Sequence, residues 1–340
     1  MRILTIVHEF PPIGGGGGQA AYDICKQLVR RGHQVSVLTA QMKGLPRQER
    51  LDGIYLHRLA SWRRQPYRAY FATMLAFVVA GVWAGLRIIR RQRPEVLHAH
   101  FAVPAGAVAW ILSRWTGLPY LLTAHLGDVP GGVPEKTDRW FSWILPLTPP
   151  IWRRAKRVVA VSEYTRRLAL RHYPVSIAII PNGADLSRLK PAEIKLNSPP
   201  RLVFSGRFMA QKNPLRVVQA LAQIRELDWE CVMLGDGPLL GEVKNEIERA
   251  GLRGRFELPG WVTPERVLDW FSRSDILFMP SLAEGLPVSG VHALATGLAL
   301  VVSRIGGFED LVDHGRNGFL VEMEKGGSFA QPLRTLITDS

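Results

Sequence analysis

Residues 280–321 read PSLAEGLPVSGVHALATGLALVVSRIGGFEDLVDHGRNGFLV, and they are the strongest indication of the fold class. Glu284 opens a Gly-Leu-Pro turn into an apolar helix pattern, which is followed by a short strand pattern, Leu300 to Ser303, and a Gly306-Gly307 loop. A helix that begins directly after a turn points free backbone N–H groups and its positive dipole end at whatever lies above it. This arrangement binds phosphate. A carboxylate in the same turn can also hold a sugar hydroxyl beside that phosphate.

Strand and helix patterns alternate on both sides of this turn, which indicates parallel, doubly wound α/β sheets. With 340 residues the chain is long enough for two domains. We predict a Rossmann-like domain over residues 1–184, a polar linker over 185–200 and a second Rossmann-like domain over 201–340, with the carboxyl ends of their strands facing a central cleft. The predicted strands are Ile3–Val7, Gln34–Thr39, Val96–His98, Leu121–Thr123, Val158–Val161, Ile177–Ile180, Leu202–Ser205, Cys231–Leu234, Phe256–Leu258, Ile276–Met279 and Leu300–Val302. The predicted helices are Ala20–Arg31 and those from Pro214, Pro238, Pro264 and Pro287.

The net charge of +14 is concentrated in the first half of the chain. Residues 1–183 hold 25 Lys and Arg against 9 Asp and Glu, a net charge of +16, and the remainder has a net charge of −2. Basic residues mixed with aromatic ones suit an anionic membrane interface, and no recognised nucleic-acid-binding motif accompanies them. We expect a membrane surface, and no nucleic acid, as partner. The clusters are Arg63, Arg64 and Arg68 with Trp62, Tyr67, Tyr70 and Phe71; Arg87, Arg90, Arg91 and Arg93 with Trp83; and Arg153, Arg154, Lys156 and Arg157 with Trp140, Trp143 and Trp152.

The stretch from Ala69 to Leu86 is uncharged for 18 residues, the length at which a membrane-spanning helix is considered. Both of its flanks are basic, so the charge asymmetry that orients a span is missing. It also lies where a crossover helix must connect two strands. We predict a buried or interface-lying helix, with a membrane span as the alternative.

The composition, 47% apolar and 21% charged, is that of a globular protein. Cys25 and Cys231 stand far apart within apolar patterns, which predicts core thiols in a reducing compartment. The first ten residues run directly into a strand pattern, so we predict no secretory signal.

Two loops before the quoted stretch also carry ligand-binding residue types. Residues 14–18 are consecutive glycines that follow a buried strand, and backbone can approach a ligand closely there. A dinucleotide site is disfavoured, since no acidic residue ends the second strand to take a ribose hydroxyl. Arg207 and Lys212 follow another strand, and two cations five residues apart can clamp a diphosphate. The plainer alternatives are a flexible turn and two solvated charges.

His125 is the candidate for contact with a sugar, because it directly follows a strand end and precedes Gly127 and Asp128. A structural histidine is the alternative. His98 and His100, at another strand end, are weaker candidates. No cluster of His, Asp and Glu has metal-ligand spacing, and neither an Asp-x-Asp nor a Gly-x-Ser-x-Gly motif is present. We therefore expect neither a metal site nor an acyl hydrolase.

The whole chain resembles family 4 of the retaining glycosyltransferases, which have the two-domain fold called GT-B. The resemblance lies in motifs in family order: PPIGG, RRGHQVSVLT, HAHFAVPAG, TAHLGD, VSEYTRR, PNGAD, SGRFMAQKN, MLGDGPL, LPGWV, MPSLAEGLPV and IGG…HGRNGFLV. It implies a retaining enzyme, independent of metal and cofactor, that moves a sugar from a nucleotide sugar to a lipid-linked or polysaccharide acceptor. The basic first domain adds the expectation of a peripheral location at the cytoplasmic membrane face.

The resemblance also implies roles for individual residues, with the acceptor bound by the first domain and the donor by the second. Gly15 and Gly16 approach the donor phosphates, and His125 contacts the transferred sugar. Arg207 and Lys212 hold the pyrophosphate and stabilise the leaving nucleoside diphosphate. The remaining donor-binding residues are Glu284, which takes sugar hydroxyls, and Gly285, Leu286, Pro287 and Val288, whose backbone binds phosphate. His125, Glu284, Arg207 and Lys212 are the expected catalytic residues.

Two features depart from the family pattern. The second family glutamate, eight residues after Glu284, is replaced by His292, whose neutral ring can accept a ribose hydroxyl through one nitrogen but lacks the paired acceptance of a carboxylate. The chain also ends at Ser340, within a helical pattern over Phe329–Ile337, where the family continues. Two rival hypotheses follow: a catalytically weak or inactive nucleotide-binding partner protein, and a nucleotide-sugar epimerase on the same fold.

Overall fold

A computed structural model describes residues 1–63, 70–133, 141–186 and 196–338. The chain divides into two compact units, Met1–Pro181 (unit 1) and Asn182–Ser340 (unit 2). Most of the predicted linker, residues 187–195, lies outside the described residues, as do Arg64, Tyr67, Arg68, Ala69 and Trp140.

Unit 1 contains an eight-stranded sheet in the order β3-β4-β2-β1-β5-β6-β7-β8, and its neighbouring strands run parallel except for β3 and β4. Its strands are β1 Arg2–Ile6, β2 Gln34–Met42, β3 Gln48–Leu51, β4 Ile54–Arg63, β5 Val96–His100, β6 Tyr120–Ala124, β7 Arg157–Ala160 and β8 Ile177–Ile179. Its helices are α1 Gly16–Arg30, α2 Phe71–Gln92, α3 Ala107–Thr116, α4 Phe141–Ile144, α5 Pro149–Arg154 and α6 Glu163–Leu170, and a π-helical turn, Ala102–Gly106, precedes α3.

The hairpin of β3 and β4 is absent from the predicted strands. Two arginines interrupt the apolar pattern of β4, yet Arg58 and Arg63 are both buried. Arg58 Nη1 lies 2.8 Å from Glu49 Oε2, and Arg63 Nη2 lies 3.1 Å from Glu9 Oε1. Since each guanidinium has a carboxylate partner, its burial costs far less than that of an isolated charge. Partners from distant positions thus allow a charged segment to lie inside the sheet.

Helix α1 begins at Gly16, so the prediction of a glycine loop over residues 14–18 is wrong in its second half. Glycine has a low helix propensity, but tertiary packing overrides it here. A Cβ on Gly17 would lie 2.4 Å from Cζ of Phe101, so the first turn of α1 needs glycine in order to pack against that ring.

Helix α2 contains the described part of the uncharged stretch, and by length and composition it could cross a membrane. Within its most apolar 18-residue window, 28% of the residues are buried. Of the two predicted alternatives, a buried or an interface-lying helix, the buried one is therefore wrong for most of the surface of α2. One side packs inward, and there Gly81 and Gly85 contact Val108 and Leu112 of α3. The opposite side is exposed and largely apolar.

Unit 2 contains a six-stranded parallel sheet in the order β11-β10-β9-β12-β13-β14. Its strands are β9 Arg201–Ser205, β10 Glu230–Leu234, β11 Phe256–Gly260, β12 Ile276–Met279, β13 Ala299–Ser303 and β14 Gly318–Val321. Its helices are α7 Pro214–Ala222, α8 Leu240–Arg249, α9 Pro264–Phe271, α10 Val288–Ala295, α11 Gly306–Glu309 and α12 Ala330–Thr338. The predicted pair of parallel-sheet α/β domains is confirmed, whereas β14 is an additional strand.

The two cysteines are free thiols in the cores of the two units, as predicted. Burial raises the pKa of the Cys25 thiol to about 12, and it also raises the pKa of Cys231. Both therefore remain protonated and unreactive at neutral pH.

Candidate functional site

The turn at Glu284 connects β12 to α10 at the carboxyl end of the sheet of unit 2. Every residue of β12 is buried, and Glu284 is 5% exposed. Helix α10 begins at Val288, with no side-chain cap among the described residues. Its first backbone N–H groups lack acceptors within the helix. The structure therefore places a carboxylate and an uncapped helix start in one turn.

Lys212 lies in the loop after β9, and its Nζ atom is 2.5 Å from Glu284 Oε1. This ion pair joins two loops that are 72 residues apart in the chain. Gln211 also joins them, because its Nε2 donates to Ala283 O at 2.8 Å and its carbonyl accepts the Leu282 N–H at 2.8 Å. The structure thus brings together two of the residues expected to bind the donor.

The Glu284 turn is held in place by two further elements. The Gly307 N–H donates to Glu284 O at 2.9 Å, and a Cβ on Gly307 would lie 1.9 Å from Gly285 O. Glycine is therefore required at residue 307. Asn182 Nδ2 donates to Leu286 O at 2.9 Å. These contacts fix the backbone that would meet a ligand, which is what a preorganised site needs.

Arg207 and His292 lie in the elements next to this turn. Arg207 is half-buried in the loop that also carries Lys212, and His292 is half-buried in the second turn of α10. Leu286 and Val288 are largely buried, so the turn offers ligands mainly its backbone. In unit 1, Gly15 and Gly16 stand at the start of α1, which has no side-chain cap in the described part of the chain.

The three histidines named as candidates in unit 1 form one group, called here the histidine cluster: His98, His100 and His125. His98 Nε2 lies 2.9 Å from Thr123 Oγ1, and His100 Nδ1 lies 3.0 Å from His125 Nε2. The ring centroids of His98 and His100 are 4.2 Å apart, and those of His100 and His125 are 5.3 Å apart. Of the two weaker candidates, His100 therefore supports His125 directly, and His98 packs against His100.

Burial keeps the histidine cluster uncharged. It lowers the pKa of His98 to about 4 and that of His125 to about 3, and it lowers the pKa of His100 well below its usual range. Each ring is neutral at pH 7 and has one N–H donor and one acceptor nitrogen. Such rings suit hydrogen bonds to hydroxyl groups. Among the described residues, no three His, Cys, Asp or Glu side chains are placed to hold a metal ion.

Asp128 braces the histidine cluster. Its Oδ1 accepts the His125 N–H at 3.0 Å, and its Oδ2 accepts the Ala102 N–H at 2.6 Å. Burial raises the pKa of Asp128 to about 6, against the opposing effect of these backbone donors, so it is ionised at pH 7. The residues after the two paired histidines, Phe101 and Leu126, have φ of 72° and 86°, in a region that residues other than glycine rarely adopt. Such strain commonly marks functional sites.

Four supporting residues were not recognised as such from the sequence. Asn182 and Gln211 hold the Glu284 turn, while Asp128 and His100 hold His125. Each acts on a residue at least 25 positions away, except for the local bond that Asp128 Oδ1 accepts from the His125 N–H. The motif PNGAD, which contains Asn182, was the one local signal for that residue.

Solved structures share this fold of two α/β domains. Sucrose-phosphate synthase from Thermosynechococcus elongatus matches with a TM-score of 0.85 and 21% identity, covering 100% of this chain and 90% of that one. Anabaena HepE, solved in complex with UDP-glucose, matches with a TM-score of 0.74 and 20% identity, covering 100% and 90%. These similarities define the class as the GT-B fold.

Sequence comparison then gives the family. Residues 14–188 match Glycosyltransferase Family 4, and residues 199–339 match Glycosyl transferases group 1. The chain belongs to glycosyltransferase family 4 and is a glycosyltransferase. It is 27% identical to a D-inositol 3-phosphate glycosyltransferase of Rhodococcus jostii, over 97% of this chain and 78% of that protein. It is also 27% identical to the Escherichia coli UDP-Gal:alpha-D-GlcNAc-diphosphoundecaprenol alpha-1,3-galactosyltransferase, over 74% of this chain and 69% of that protein.

Proposed function

We propose that this chain transfers a sugar from a nucleotide sugar to a lipid-linked or polysaccharide acceptor, with retention of configuration and without a metal ion or other cofactor. The observation that carries the proposal is the pair formed by Lys212 and Glu284 at the start of α10. One partner is suited to a phosphate and the other to sugar hydroxyls, and a sugar diphosphate presents both groups side by side.

The charges of this site support the proposal of a reaction without metal. The leaving nucleoside diphosphate is strongly anionic, and Arg207, Lys212 and the N-terminus of α10 supply the positive potential that a metal ion provides in other enzymes. Glu284 orients the sugar through its hydroxyls, and His292 accepts a ribose hydroxyl. In unit 1, His125 contacts the sugar, while Gly15 and Gly16 approach the phosphates.

The proposed reaction is a front-face displacement. The acceptor oxygen bonds to the anomeric carbon on the face from which the phosphate leaves, and the bond between that carbon and the phosphate oxygen breaks. The departing phosphate oxygen takes the proton of the acceptor hydroxyl. The products are a glycoside of retained configuration and the nucleoside diphosphate.

Calorimetric titration of the full chain with UDP and with GDP, in EDTA, tests the donor site. We expect micromolar binding of one of them, roughly −8 kcal/mol. Arg207→Ala removes charge-assisted hydrogen bonds worth about 1.5–3 kcal/mol, so affinity falls about 10- to 100-fold. Glu284→Ala leaves the binding of the free diphosphate and abolishes turnover of the sugar donor. Arg249→Ala, an exposed arginine on α8, is the matched control.

The outcomes separate the rival hypotheses. No binding of either diphosphate would refute the donor site, whereas binding without turnover of any sugar donor would favour the nucleotide-binding partner protein. Binding followed by release of free diphosphate without an acceptor-linked product would favour the epimerase. A glycoside product is assigned as retained or inverted from its anomeric proton coupling, and inversion would exclude the front-face reaction.

The membrane part of the proposal is supported by one face of α2. Large apolar side chains are exposed at every fourth position along it, and arginines continue the same side toward the end of the helix. A helix of this length extends about 33 Å. This order of residues is suited to an anionic bilayer: the apolar side chains can insert at the boundary of the acyl chains, and the arginines can bind the anionic headgroups. The residues are Phe71, Leu75, Val79, Trp83, Arg87, Arg90 and Arg91.

Flotation with vesicles tests this location. We expect binding to phosphatidylcholine vesicles that contain phosphatidylglycerol, weaker binding without it, and loss of binding at high salt. Val79→Gln with Trp83→Gln reduces binding to both kinds of vesicle, whereas Arg90→Gln with Arg91→Gln removes the preference for phosphatidylglycerol. Trp261→Gln, at a half-exposed tryptophan of unit 2, is the control. Equal behaviour of all variants would exclude α2 as the membrane face. The lipid-linked acceptor in the name of the Escherichia coli relative is consistent with such a location.

A further inference from the structure

His100 and His125 share one hydrogen bond, and its direction determines what His125 can offer to a ligand. The bond joins His100 Nδ1 to His125 Nε2 at 3.0 Å. His100 is fully buried, whereas His125 is half-buried. His125 is therefore the member of the pair that a substrate can reach.

The burial of His100 selects the direction of this bond. Its second nitrogen, Nε2, is buried without a hydrogen-bond partner in the described part of the chain. Were His125 to donate, the neutral ring of His100 would carry its proton on Nε2 and leave a buried N–H without an acceptor. Unpaired buried N–H groups are the rarer and costlier case. When His100 donates from Nδ1, its Nε2 is a bare acceptor nitrogen and no donor is stranded.

We propose that His100 is a positioning residue that fixes His125 in the tautomer protonated at Nδ1. The Nδ1–H of His125 then donates to an oxygen of the transferred sugar. The part concerning the sugar rests on the proposed function, whereas the tautomer does not. In this state the Nδ1 of His125 can donate but cannot accept, so it orients a sugar oxygen and takes no proton from the acceptor.

Nitrogen NMR of the full chain labelled with 15N-histidine reads the tautomer without any activity assay. Each ring shows two nitrogen resonances, and their positions separate protonated from bare nitrogens. His125→Gln and His100→Asn each remove one set and so assign the spectrum. We expect the proton of His125 on Nδ1 at pH 7.5. A proton on Nε2 would overturn the proposal.

Two variants at residue 100 separate positioning from packing. An asparagine amide nitrogen can take the place of histidine Nδ1, so His100→Asn should keep the His125 tautomer and leave kcat within about threefold of the wild type. His100→Leu removes the donor, so His125 should show both tautomers and kcat should fall roughly tenfold, the loss of one hydrogen bond. The affinity for UDP or GDP should be unchanged in both. The turnover probes are UDP-glucose and GDP-mannose.

The two proposals fail in distinguishable ways. A chain that turns over neither donor, yet shows the Nδ1 tautomer in the wild type and a mixture in His100→Leu, would contradict the proposed function and retain the positioning role. Equal loss of kcat in both variants, with an unchanged His125 spectrum, would show that His100 is a packing residue. His172→Asn, at an exposed histidine, controls for the effect of substitution on the spectra.

Discussion

The ion pair between Lys212 and Glu284 should be strongly coupled in the ligand-free protein, and a double-mutant cycle measures that coupling. The exposed fractions of the two side chains are 19% and 6%. At 2.5 Å and an effective dielectric constant of about 20, the direct attraction is about 6–7 kcal/mol. Desolvation of the two charges offsets most of it.

We expect Lys212→Met and Glu284→Gln each to cost about 2–4 kcal/mol, because each leaves one charge in a poorly solvated place. The double variant should cost little more than either single one, which gives a coupling energy of about 1.5–3 kcal/mol. For a unit of this size, 2 kcal/mol corresponds to a shift in Tm of about 4–8 °C.

Scanning calorimetry of the four proteins without ligand is the assay, with the transition of unit 2 identified by its shift on addition of UDP or GDP. The matched control is the cycle over Arg249 and Glu246, an exposed pair on α8 whose coupling should be about 0.5 kcal/mol or less. Additive effects of Lys212→Met and Glu284→Gln, within about 0.5 kcal/mol, would contradict the expected coupling, because they would mean that the two charges do not interact in solution.

Three other predictions concern stability. Burial places the folded-state pKa of each member of the histidine cluster below its unfolded value. At pH values under about 6.5 the unfolded chain therefore binds protons that the folded chain does not. As the pH is lowered from there, the free energy of unfolding of unit 1 should decrease by about 1.4 kcal/mol per pH unit for each histidine of the cluster. Between about pH 6 and 4, Asp128 has the opposite effect on the free energy of unfolding, because its folded-state pKa is raised. Calorimetry of His98→Asn at several pH values should show that the dependence of the free energy of unfolding on pH is smaller by the contribution of one histidine. Gly307→Ala should lower the Tm of unit 2 and abolish UDP or GDP binding, because the new Cβ would clash with the carbonyl of Gly285. The control is Gly241→Ala in α8, where a Cβ has no heavy atom within contact distance, and it should raise the free energy of unfolding of unit 2 by about 0.5–1 kcal/mol. Asp128→Asn places an amide N–H opposite a backbone N–H that the carboxylate now accepts. A urea titration at pH 7.5 should show the free energy of unfolding of unit 1 lowered by about 1–3 kcal/mol. An unchanged free energy of unfolding would contradict the bracing role of Asp128.

The parallel strands could be predicted because the apolar pattern that identifies each of them lies within the strand itself. Strands such as β12 are buried on both faces, so their sequences are short continuous runs of apolar residues. In a soluble protein, an apolar run of that length indicates a buried strand. Since parallel strands present their carboxyl ends at one edge, the loops after them could be named as candidate sites before their contacts were known. Arg207, Lys212, Glu284 and His125 were found in this way.

The hairpin of β3 and β4 shows where local patterns fail. Its turn, Asp52-Gly53, has both residues at positive φ, and Asp-Gly is a favoured pair for such turns, so a signal was present. The charges of β4 oppose that signal, because Arg58 and Arg63 are unsuited to burial until their partners are known. Those partners, Glu49 and Glu9, are set by the register of the sheet, which sequence spacing does not reveal.

The supporting contacts of the site were unpredictable for the same reason. The bond from Asn182 to Leu286 spans 104 residues, and that between His100 and His125 spans 25. Each depends on which strands are neighbours and on how far each strand extends before it turns. A residue type and its spacing do not contain that information.

The Glu284 turn is held through main-chain atoms, and this has a consequence for how the enzyme can diverge. Carbonyl or amide groups of residues 282, 283, 284 and 286 receive or supply the bonds from Gln211, Gly307 and Asn182. None of these bonds uses the side chain of Glu284 or His292. The frame therefore survives exchange of the very side chains that would read the sugar and the ribose. Substitution at residue 292 can therefore change the contact with the ribose while this main-chain frame is kept, whereas substitution at residue 284 also removes the carboxylate that pairs with Lys212.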